Sequence, residues 1–111
     1  MVDRGTILTV TPGGGTGHKP RPAVVVQASG LDFPSTLVVV PLTSQAGADL
    51  HIKPVFLPDD ANGLHQTSSM MTHRITAIRH ADIGDIVGKL SEEDMMKVDE
   101  ALITVLGLDR R

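Results

Sequence analysis

Two runs of β-branched residues, separated by a short turn, constrain the fold more than any other feature of this chain. Residues 23–27 read AVVVQ and residues 36–42 read TLVVVPL. Continuous apolar runs of this length, rich in valine and bounded by Gly and Pro, are typical of buried strands. The core around them must be aliphatic, because the chain has only two aromatic residues, Phe33 and Phe56. The chain also has no cysteine, which excludes disulfides, thiolate catalysis and zinc–thiolate sites.

The rest of the chain up to residue 90 predicts further short strands. One of them is an edge strand or a bulged strand, because Pro54 cannot donate to a hydrogen-bond ladder. These strands are predicted at residues 3–10, 52–57, 68–78 (one or two strands) and 85–89. Short strands joined by turns, with no helices between them, indicate a small antiparallel barrel rather than a parallel sheet. A length of 111 residues fits a single domain, residues 1–111.

One amphipathic helix is predicted at the C-terminal end. Ser91 and Asp94 have the spacing of a capping box, in which the serine hydroxyl and the acid each bond a backbone N–H. An apolar stripe follows at three- to four-residue spacing: Met95, Val98, Leu102 and Val105. Gly107 is well placed to end the helix.

Charge and hydropathy are those of an ordinary globular domain, with 41% apolar and 21% charged residues and a formal net charge of −3. No apolar run approaches the ~20 residues that span a bilayer, and residues 1–10 lack a signal-peptide pattern. We therefore expect a cytoplasmic protein that does not contact a membrane. Residues 5–31 and 62–81 contain no acid, whereas acids are frequent in residues 82–100. This segregation favours, without requiring, one basic surface.

The glycine-rich segment 12–20, PGGGTGHKP, is not a nucleotide-binding loop. A Walker loop places Ser or Thr after Gly-Lys and continues into a helix, whereas here Lys19 is followed by Pro20 and then a valine run. A dinucleotide-binding loop fails for the same reason. The remaining interpretation is a long loop beside Arg21 that could cover an extended substrate. The arginine guanidinium presents a planar set of donors that matches phosphate oxygens. From the residues alone, the favoured interpretation is that Arg21 only starts a strand and pairs with a nearby acid.

The sequence resembles a known family at several of these places. The run KPRPAVVVQ (residues 19–27), followed by VVVPLTSQ (residues 38–45), resembles the paired signature of the MazF/PemK-type toxins of bacterial toxin–antitoxin pairs. The ending HRITAIRHADIGDIVGKLSEEDMMKVDEALITVLGL is also similar to the family's final strands and capped helix. The resemblance covers residues 4–108.

The resemblance implies a fold, an activity and partners. The fold is mainly β, an SH3-like small antiparallel barrel with a C-terminal amphipathic helix, which forms a homodimer. The activity is that of an endoribonuclease that cuts single-stranded RNA at short sequences, independently of the ribosome and of metal ions and without a cofactor. A cognate antitoxin covers the RNA site.

The family's motif positions fall on Arg21 and Thr43, which the resemblance implies to be catalytic. Arg21 would bind the scissile phosphate and stabilise the transition state, and Thr43 would hydrogen-bond the same phosphate, leaving a 2′,3′-cyclic phosphate and a 5′-OH. From the residues alone, Thr43 also fits a strand-end hydroxyl that bonds the local backbone. Further substrate contacts are predicted at six residues: His18, Lys19, Ser44, Gln45, His73 and Arg74.

Two positions depart from the family pattern. His73 stands where many relatives carry an acid, and Thr76 where they often carry Arg, so the relatives' secondary catalytic residues and RNA preference do not transfer. His18, beside Arg21 in the chain, can titrate near neutral pH and act as an acid or a base. The remaining histidines show no metal-ligand spacing and are predicted at the surface: His51, His65 and His80.

Two alternatives stay open at this point. One is a gyrase-directed toxin on the same fold, although its relatives depend on an aromatic residue at the helix end and this chain ends LGLDRR. The other is an inactive SH3-like module that only binds a partner. The presence of both Arg21 and Thr43 favours the nuclease.

Overall fold

The structure is a computed structural model that describes residues 2–11, 19–45, 47 and 49–110. Within these residues the chain forms seven strands followed by one helix. The elements are β1 (Thr6–Val10), β2 (Arg21–Val25), β3 (Thr36–Thr43), β4 (Val55–Phe56), β5 (Ser68–Met70), β6 (Thr76–Arg79), β7 (Ile83–Lys89) and α1 (Glu92–Val105). The mainly β architecture with a C-terminal helix confirms the prediction, and an SH3-like description is compatible with it.

The strands pair antiparallel in the order β4-β5-β3-β2-β1-β7, with β6 also paired to β3. The long strand β3 carries β2 on one edge. Two strands share its other edge, where Val39 lies opposite Thr76 of β6 and Leu42 lies opposite Met70 of β5. A 3₁₀ turn at Thr72–Arg74 joins β5 to β6. The segment predicted as one or two strands is therefore two strands, and β3 connects both parts of the sheet.

Both faces of the central strands are buried, which explains their unbroken valine runs. Val24 and Val40 lie in the cluster that packs under α1, whereas Val25 and Val39 lie in the cluster on the other face. Alternate residues of a strand point to opposite faces, so each run supplies both clusters. The first cluster holds Ile7, Val24, Val40, Leu42, Phe56, Leu64, Met70, Leu90, Val98, Ala101 and Leu102. The second holds Leu8, Val10, Ala23, Val25, Leu37 and Val39.

Strand boundaries differ from the sequence prediction by two to three residues. Strand β1 begins at Thr6 because Gly5, at φ +94°, makes a turn before it. Strand β7 begins at Ile83, two residues earlier than expected. Strand β4 is short and ends the path of paired strands, which confirms the edge position predicted from Pro54.

Helix α1 begins and ends at specific caps. Ser91 Oγ accepts a hydrogen bond from the Asp94 N–H at 3.1 Å, which confirms half of the predicted capping box. In the other half of the box, the Asp94 carboxylate would accept a hydrogen bond from the Ser91 backbone N–H. It instead pairs with Lys97 at 3.5 Å. At the other end Gly107 has φ +69°, and the Leu108 N–H bonds the Ile103 carbonyl at 2.9 Å. This is a Schellman ending, which glycine favours because it has no Cβ.

The buried face of α1 is rotated slightly from the predicted stripe. Val98, Ala101 and Leu102 are buried and Met95 is half-buried, but Val105 is 36% exposed. Ala101 therefore belongs to the buried face, and Val105 in the last turn lies at its margin.

Strand β7 is held close to the turn that precedes β5. A Cβ added at Gly88 would lie 2.4 Å from the carbonyl oxygens of Ala61 and Asn62. Asn62 is buried and fixes this turn, since its side-chain amide donates to the Leu57 carbonyl at 2.9 Å. Only a residue without a side chain allows this approach of two backbones.

Candidate functional site

Arg21 and Thr43 lie at the same end of two neighbouring strands. Strand β2 begins at Arg21 and β3 ends at Thr43. The register pairs Ala23 with Pro41 and Val25 with Val39, and beyond Pro41 strand β3 pairs with β5. Arg21 and Thr43 each lie two residues beyond this last β2–β3 pair, at the same end of the two strands. Two motifs distant along the chain are thus neighbours in the sheet.

Arg21 is exposed and begins its strand opposite Val10 of β1. The alternative derived from the residues alone made two statements. Arg21 does start a strand, as that alternative predicted. No ion pair of Arg21 occurs among the residues that the structure describes. The described part of the chain therefore supplies no acidic partner that would compete with an anionic ligand for its guanidinium.

Thr43 makes the local backbone contact that a strand-end hydroxyl often makes. Its Oγ1 accepts a hydrogen bond from the Gln45 N–H at 3.2 Å, and the residue is half-buried opposite Ser69 of β5. A hydroxyl has one donor and two acceptor lone pairs, so accepting this bond leaves the O–H free to donate. The contact fixes the oxygen and is compatible with a donor role toward a ligand.

Three further predicted residues flank this pair in sequence and are exposed. Lys19 precedes Arg21 by two residues, and Ser44 and Gln45 follow Thr43 directly. They belong to the two segments that meet at this end of the sheet. His18 falls outside the described residues.

His73 and Arg74 belong to the 3₁₀ turn between β5 and β6, and both are exposed. The turn lies beside β3, because the Met71 N–H bonds the Pro41 carbonyl at 2.9 Å. His73 lines a shallow depression of about 240 Å³ together with Ile52, Lys53 and Val105. The structure thus groups His73 with Lys53, and no direct contact joins it to Arg21 or Thr43 in the described part of the chain.

Lys53 is the residue at this end of the molecule that sequence reasoning missed. It occurs in the segment recognised only as a strand containing Pro54, and no motif or spacing singles it out. The structure sets it beside His73 and beside Gly47, where an added Cβ would lie 3.7 Å from Lys53 Cδ.

The cations of the chain divide into paired and unpaired groups. Four are paired with acids: Arg4 with Asp99 at 2.7 Å, Arg79 with Asp82 at 3.0 Å, Lys89 with Asp3 at 3.9 Å and Lys97 with Asp94 at 3.5 Å. Asp82 raises the pKa of Arg79, first through the hydrogen bond and then through its charge. Over residues 2–11, 19–45, 47 and 49–107, no ion pair involves Lys19, Arg21, Lys53 or Arg74.

Lys19, Arg21, Lys53 and Arg74 belong to the segments beside β2, β4 and β5, whereas Arg110, which also has no ion pair in the described residues, follows α1. Unneutralised positive charge of this kind attracts polyanions even when the net charge of the chain is negative. The segregation noted in the sequence therefore corresponds to an uneven distribution of paired and unpaired cations in the fold.

The other histidines have the surface positions that the sequence predicts. His51, His65 and His80 are exposed, and His80 Nε2 lies 3.1 Å from the carbonyl oxygens of both Phe33 and Thr36. Among the described residues, no group of three or more His, Asp or Glu side chains has an arrangement that would hold a metal ion. No described helix is both long enough and apolar enough to cross a bilayer.

Comparison with known proteins agrees with this architecture. The family model of the PemK-like, MazF-like toxins of type II toxin–antitoxin systems matches residues 3–106. A curated relative from Mycolicibacterium smegmatis, named probable endoribonuclease MazF, is 32% identical over 105 residues, covering 95% of this chain and 96% of its own length.

Solved structures show the same fold. A mycobacterial endoribonuclease in complex with its cognate antitoxin matches with a TM-score of 0.80 at 23% identity, over 97% of each chain. The Mycobacterium tuberculosis toxin MazF-mt6 matches with a TM-score of 0.73 at 21% identity, over 92% of this chain and 96% of that chain. The predicted family is confirmed, and with it the class of endoribonuclease toxins. This chain belongs to the family of PemK-like, MazF-like toxins of type II toxin–antitoxin systems.

Proposed function

We propose that this MazF-like endoribonuclease cuts single-stranded RNA without a metal ion, and that Arg21 and Thr43 act together on the scissile phosphate. The observation that carries this proposal is that Arg21 begins β2 and Thr43 ends β3, so both residues lie at the same end of two neighbouring antiparallel strands. Residues 1–111 would form one toxin domain that works in the cytoplasm.

RNA supplies its own nucleophile, so the enzyme needs few groups of its own. The 2′-oxygen attacks the adjacent phosphorus and loses its proton, and the bond from phosphorus to the 5′-oxygen breaks as that oxygen gains a proton. The products are a 2′,3′-cyclic phosphate and a 5′-OH. Proximity is built into the substrate, so catalysis depends on charge stabilisation and proton transfer.

Arg21 and Thr43 suit the charge that develops on the phosphorane. The guanidinium keeps its charge at all physiological pH values and donates in a planar fork to two phosphate oxygens. The Thr43 hydroxyl, held by the Gln45 N–H at 3.2 Å, donates to the same group. Donors fixed in advance stabilise a transition state without reorganisation during the reaction.

The flanking residues would hold the RNA on either side of the cut. Lys19 and Arg74 are exposed cations without ion pairs in the described chain, and Ser44, Gln45 and His73 offer exposed polar groups near them. His18, next to Lys19 in the sequence, completes the proposed contacts. With only two aromatic residues, binding depends more on phosphate contacts than on base stacking.

The same cations would bind a regulatory partner. A structural relative of this chain is an endoribonuclease in complex with its cognate antitoxin. We propose that this toxin also has a cognate antitoxin, whose acidic segment covers the unpaired cations and excludes RNA. We further propose that the toxin forms a homodimer.

The test uses purified protein and a mixed-sequence RNA in EDTA. Cleavage that leaves 5′-OH and cyclic phosphate ends, and that is lost in both Arg21→Ala and Thr43→Ala, supports the proposal. Lys97→Gln, which removes a cation paired on α1, is the matched control and should cleave normally. Intact RNA together with trapped gyrase–DNA complexes would instead assign the chain to the gyrase-directed alternative, and cleavage that persists in both variants would remove Arg21 and Thr43 from the mechanism.

A further inference from the structure

Lys53 is a half-buried cation near the segment that follows Thr43 and near His73. Its Cδ would lie 3.7 Å from a Cβ added at Gly47. Lys53 also shares the 240 Å³ depression with His73, Ile52 and Val105. Lysine often buries its methylene stem in this way and leaves the ammonium in water.

Backbone contacts tie Lys53 to the Arg21–Thr43 pair through β5. The Ser69 hydroxyl donates to the Lys53 carbonyl oxygen at 3.3 Å. Ser69 lies opposite Val55 of β4 on one side and opposite Thr43 of β3 on the other. Neighbouring strands are about 4.8 Å apart, so the backbone of Lys53 is roughly two strand spacings from Thr43.

The charge of Lys53 is not neutralised by the protein. No acid lies within ion-pair distance of it in the described part of the chain, whereas Arg4, Arg79, Lys89 and Lys97 all have acid partners. An anionic ligand would supply the missing partner.

We propose that Lys53 binds a phosphate of the RNA next to the scissile phosphate, so that the depression formed by Ile52, Lys53, His73 and Val105 takes a flanking nucleotide. The inference rests on the proposed function, because it assumes that the RNA crosses the Arg21–Thr43 pair. The Ile52 and Val105 side chains provide apolar surface for a base, and His73 lies beside it.

Lys53 acts as a point charge, without the planar fork of arginine. It is a positioning residue that binds the substrate equally in the ground state and in the transition state. Removing such an interaction raises KM and leaves kcat nearly unchanged. It also lowers the salt dependence of binding, because each phosphate contact on a single strand contributes about 0.7 to the slope of log K against log salt.

The experiment compares Lys53→Gln and Lys53→Met with the control Lys97→Gln. Binding is measured between 50 and 300 mM salt, roughly the range over which phosphate contacts are screened, with an RNA made non-cleavable by a 2′-deoxy substitution at its cut site. Cleavage kinetics are measured with the matching all-RNA strand. We expect both Lys53 variants to raise KM about tenfold, to keep kcat within about twofold, and to lower the salt slope by about 0.7. Lys53→Arg should restore KM and the salt slope, and Lys97→Gln should match the parent protein in both quantities.

Each outcome decides the inference. An unchanged slope and KM in Lys53→Gln and Lys53→Met, with the parent protein cleaving RNA, would overturn the role of Lys53 and leave the proposed function intact. A loss of kcat with unchanged KM would also overturn it, because it would make Lys53 part of the chemical step. A parent protein that neither binds nor cuts RNA would overturn the proposed function and this inference together. The Met variant keeps the volume of the stem, so a folding defect in the Gln variant does not prevent a decision.

Discussion

Thr43 Oγ1 accepts a hydrogen bond from the Gln45 backbone N–H at 3.2 Å, which holds the hydroxyl in place and leaves its proton to donate. We predict that Thr43→Val lowers kcat about 10²-fold, because one fixed donor to a developing oxyanion contributes this much. Thr43→Ser keeps the hydroxyl and should retain most of the activity. Stability should change by about 1 kcal/mol or less, since the contact is exposed to solvent. Steady-state kinetics and urea unfolding measure the two effects, and equal activity of the Val and Ser variants would contradict the donor role.

Arg21 is exposed and has no ion pair among the described residues, so its replacement should affect activity and not folding. We predict that Arg21→Ala lowers kcat by about 10²- to 10³-fold. Arg21→Lys should recover only part of this loss, because an ammonium cannot donate to two phosphate oxygens in a plane. Full activity of the Lys variant would show that only the charge is required. Thermal melting of all three proteins provides the control for folding.

Replacement of Thr72 by an apolar residue is expected to stabilise the fold. Its Oγ1 is buried and has no hydrogen-bond partner within the described structure. We expect Thr72→Val to raise the free energy of unfolding by about 1–3 kcal/mol, because the buried hydroxyl no longer has to be desolvated. Thr9→Val is the matched control: Thr9 Oγ1 accepts the Asp85 N–H at 2.8 Å, so the same change should destabilise. Urea unfolding of both variants checks the opposite signs.

Gly88 lies where β7 meets the turn before β5. A Cβ at this position would be 2.4 Å from two carbonyl oxygens, so Gly88→Ala should destabilise the fold by about 1–3 kcal/mol. Gly47→Ala is the comparison, since its added Cβ would meet Lys53 Cδ at an ordinary 3.7 Å and should cost little. Similar denaturation midpoints for the two variants would show that β7 can move away from the turn.

Ser91 tests the start of α1. Its hydroxyl accepts the Asp94 N–H at 3.1 Å, and we predict that Ser91→Ala lowers the free energy of unfolding by about 1 kcal/mol. Ser91→Asp should keep most of the stability, because a carboxylate can accept the same bond and suits the positive end of the helix dipole. A Ser91→Asp protein as unstable as Ser91→Ala would contradict a capping role.

The parts of the fold that depend on near neighbours could be predicted from the sequence. The valine runs of β2 and β3 appear as strands, Pro54 marks an edge, and Ser91 and Gly107 bound the helix. Each signal arises within a few residues of the chain. The buried face of α1 was predicted less well, because Ala101 is buried outside the predicted stripe and Val105, at the end of that stripe, is 36% exposed.

The candidate site also has a part that the sequence predicts and a part that only the tertiary structure reveals. Motifs single out Arg21 and Thr43, and the antiparallel pairing of β2 with β3 then places both at one end of the two strands. Lys53 carries no motif, and its proximity to His73 and Gly47 follows from the pairing of β4, β5 and β3. A sequence pattern does not report such a contact, because the residues are far apart along the chain.

The sequence by itself therefore determined the β-rich class, the terminal helix with its caps, the family and the two residues that we propose as the centre of the site. Hydrophobic periodicity, the backbone restrictions of Pro and Gly, and short motifs are local properties. Each can be recognised from residues that are close together in the sequence. Only the tertiary structure decided which cations have acid partners, where the segment 68–78 divides, and that Lys53 lies near the Arg21–Thr43 pair. These features depend on which strands lie side by side, and that arrangement is fixed by burying both faces of β3 at once.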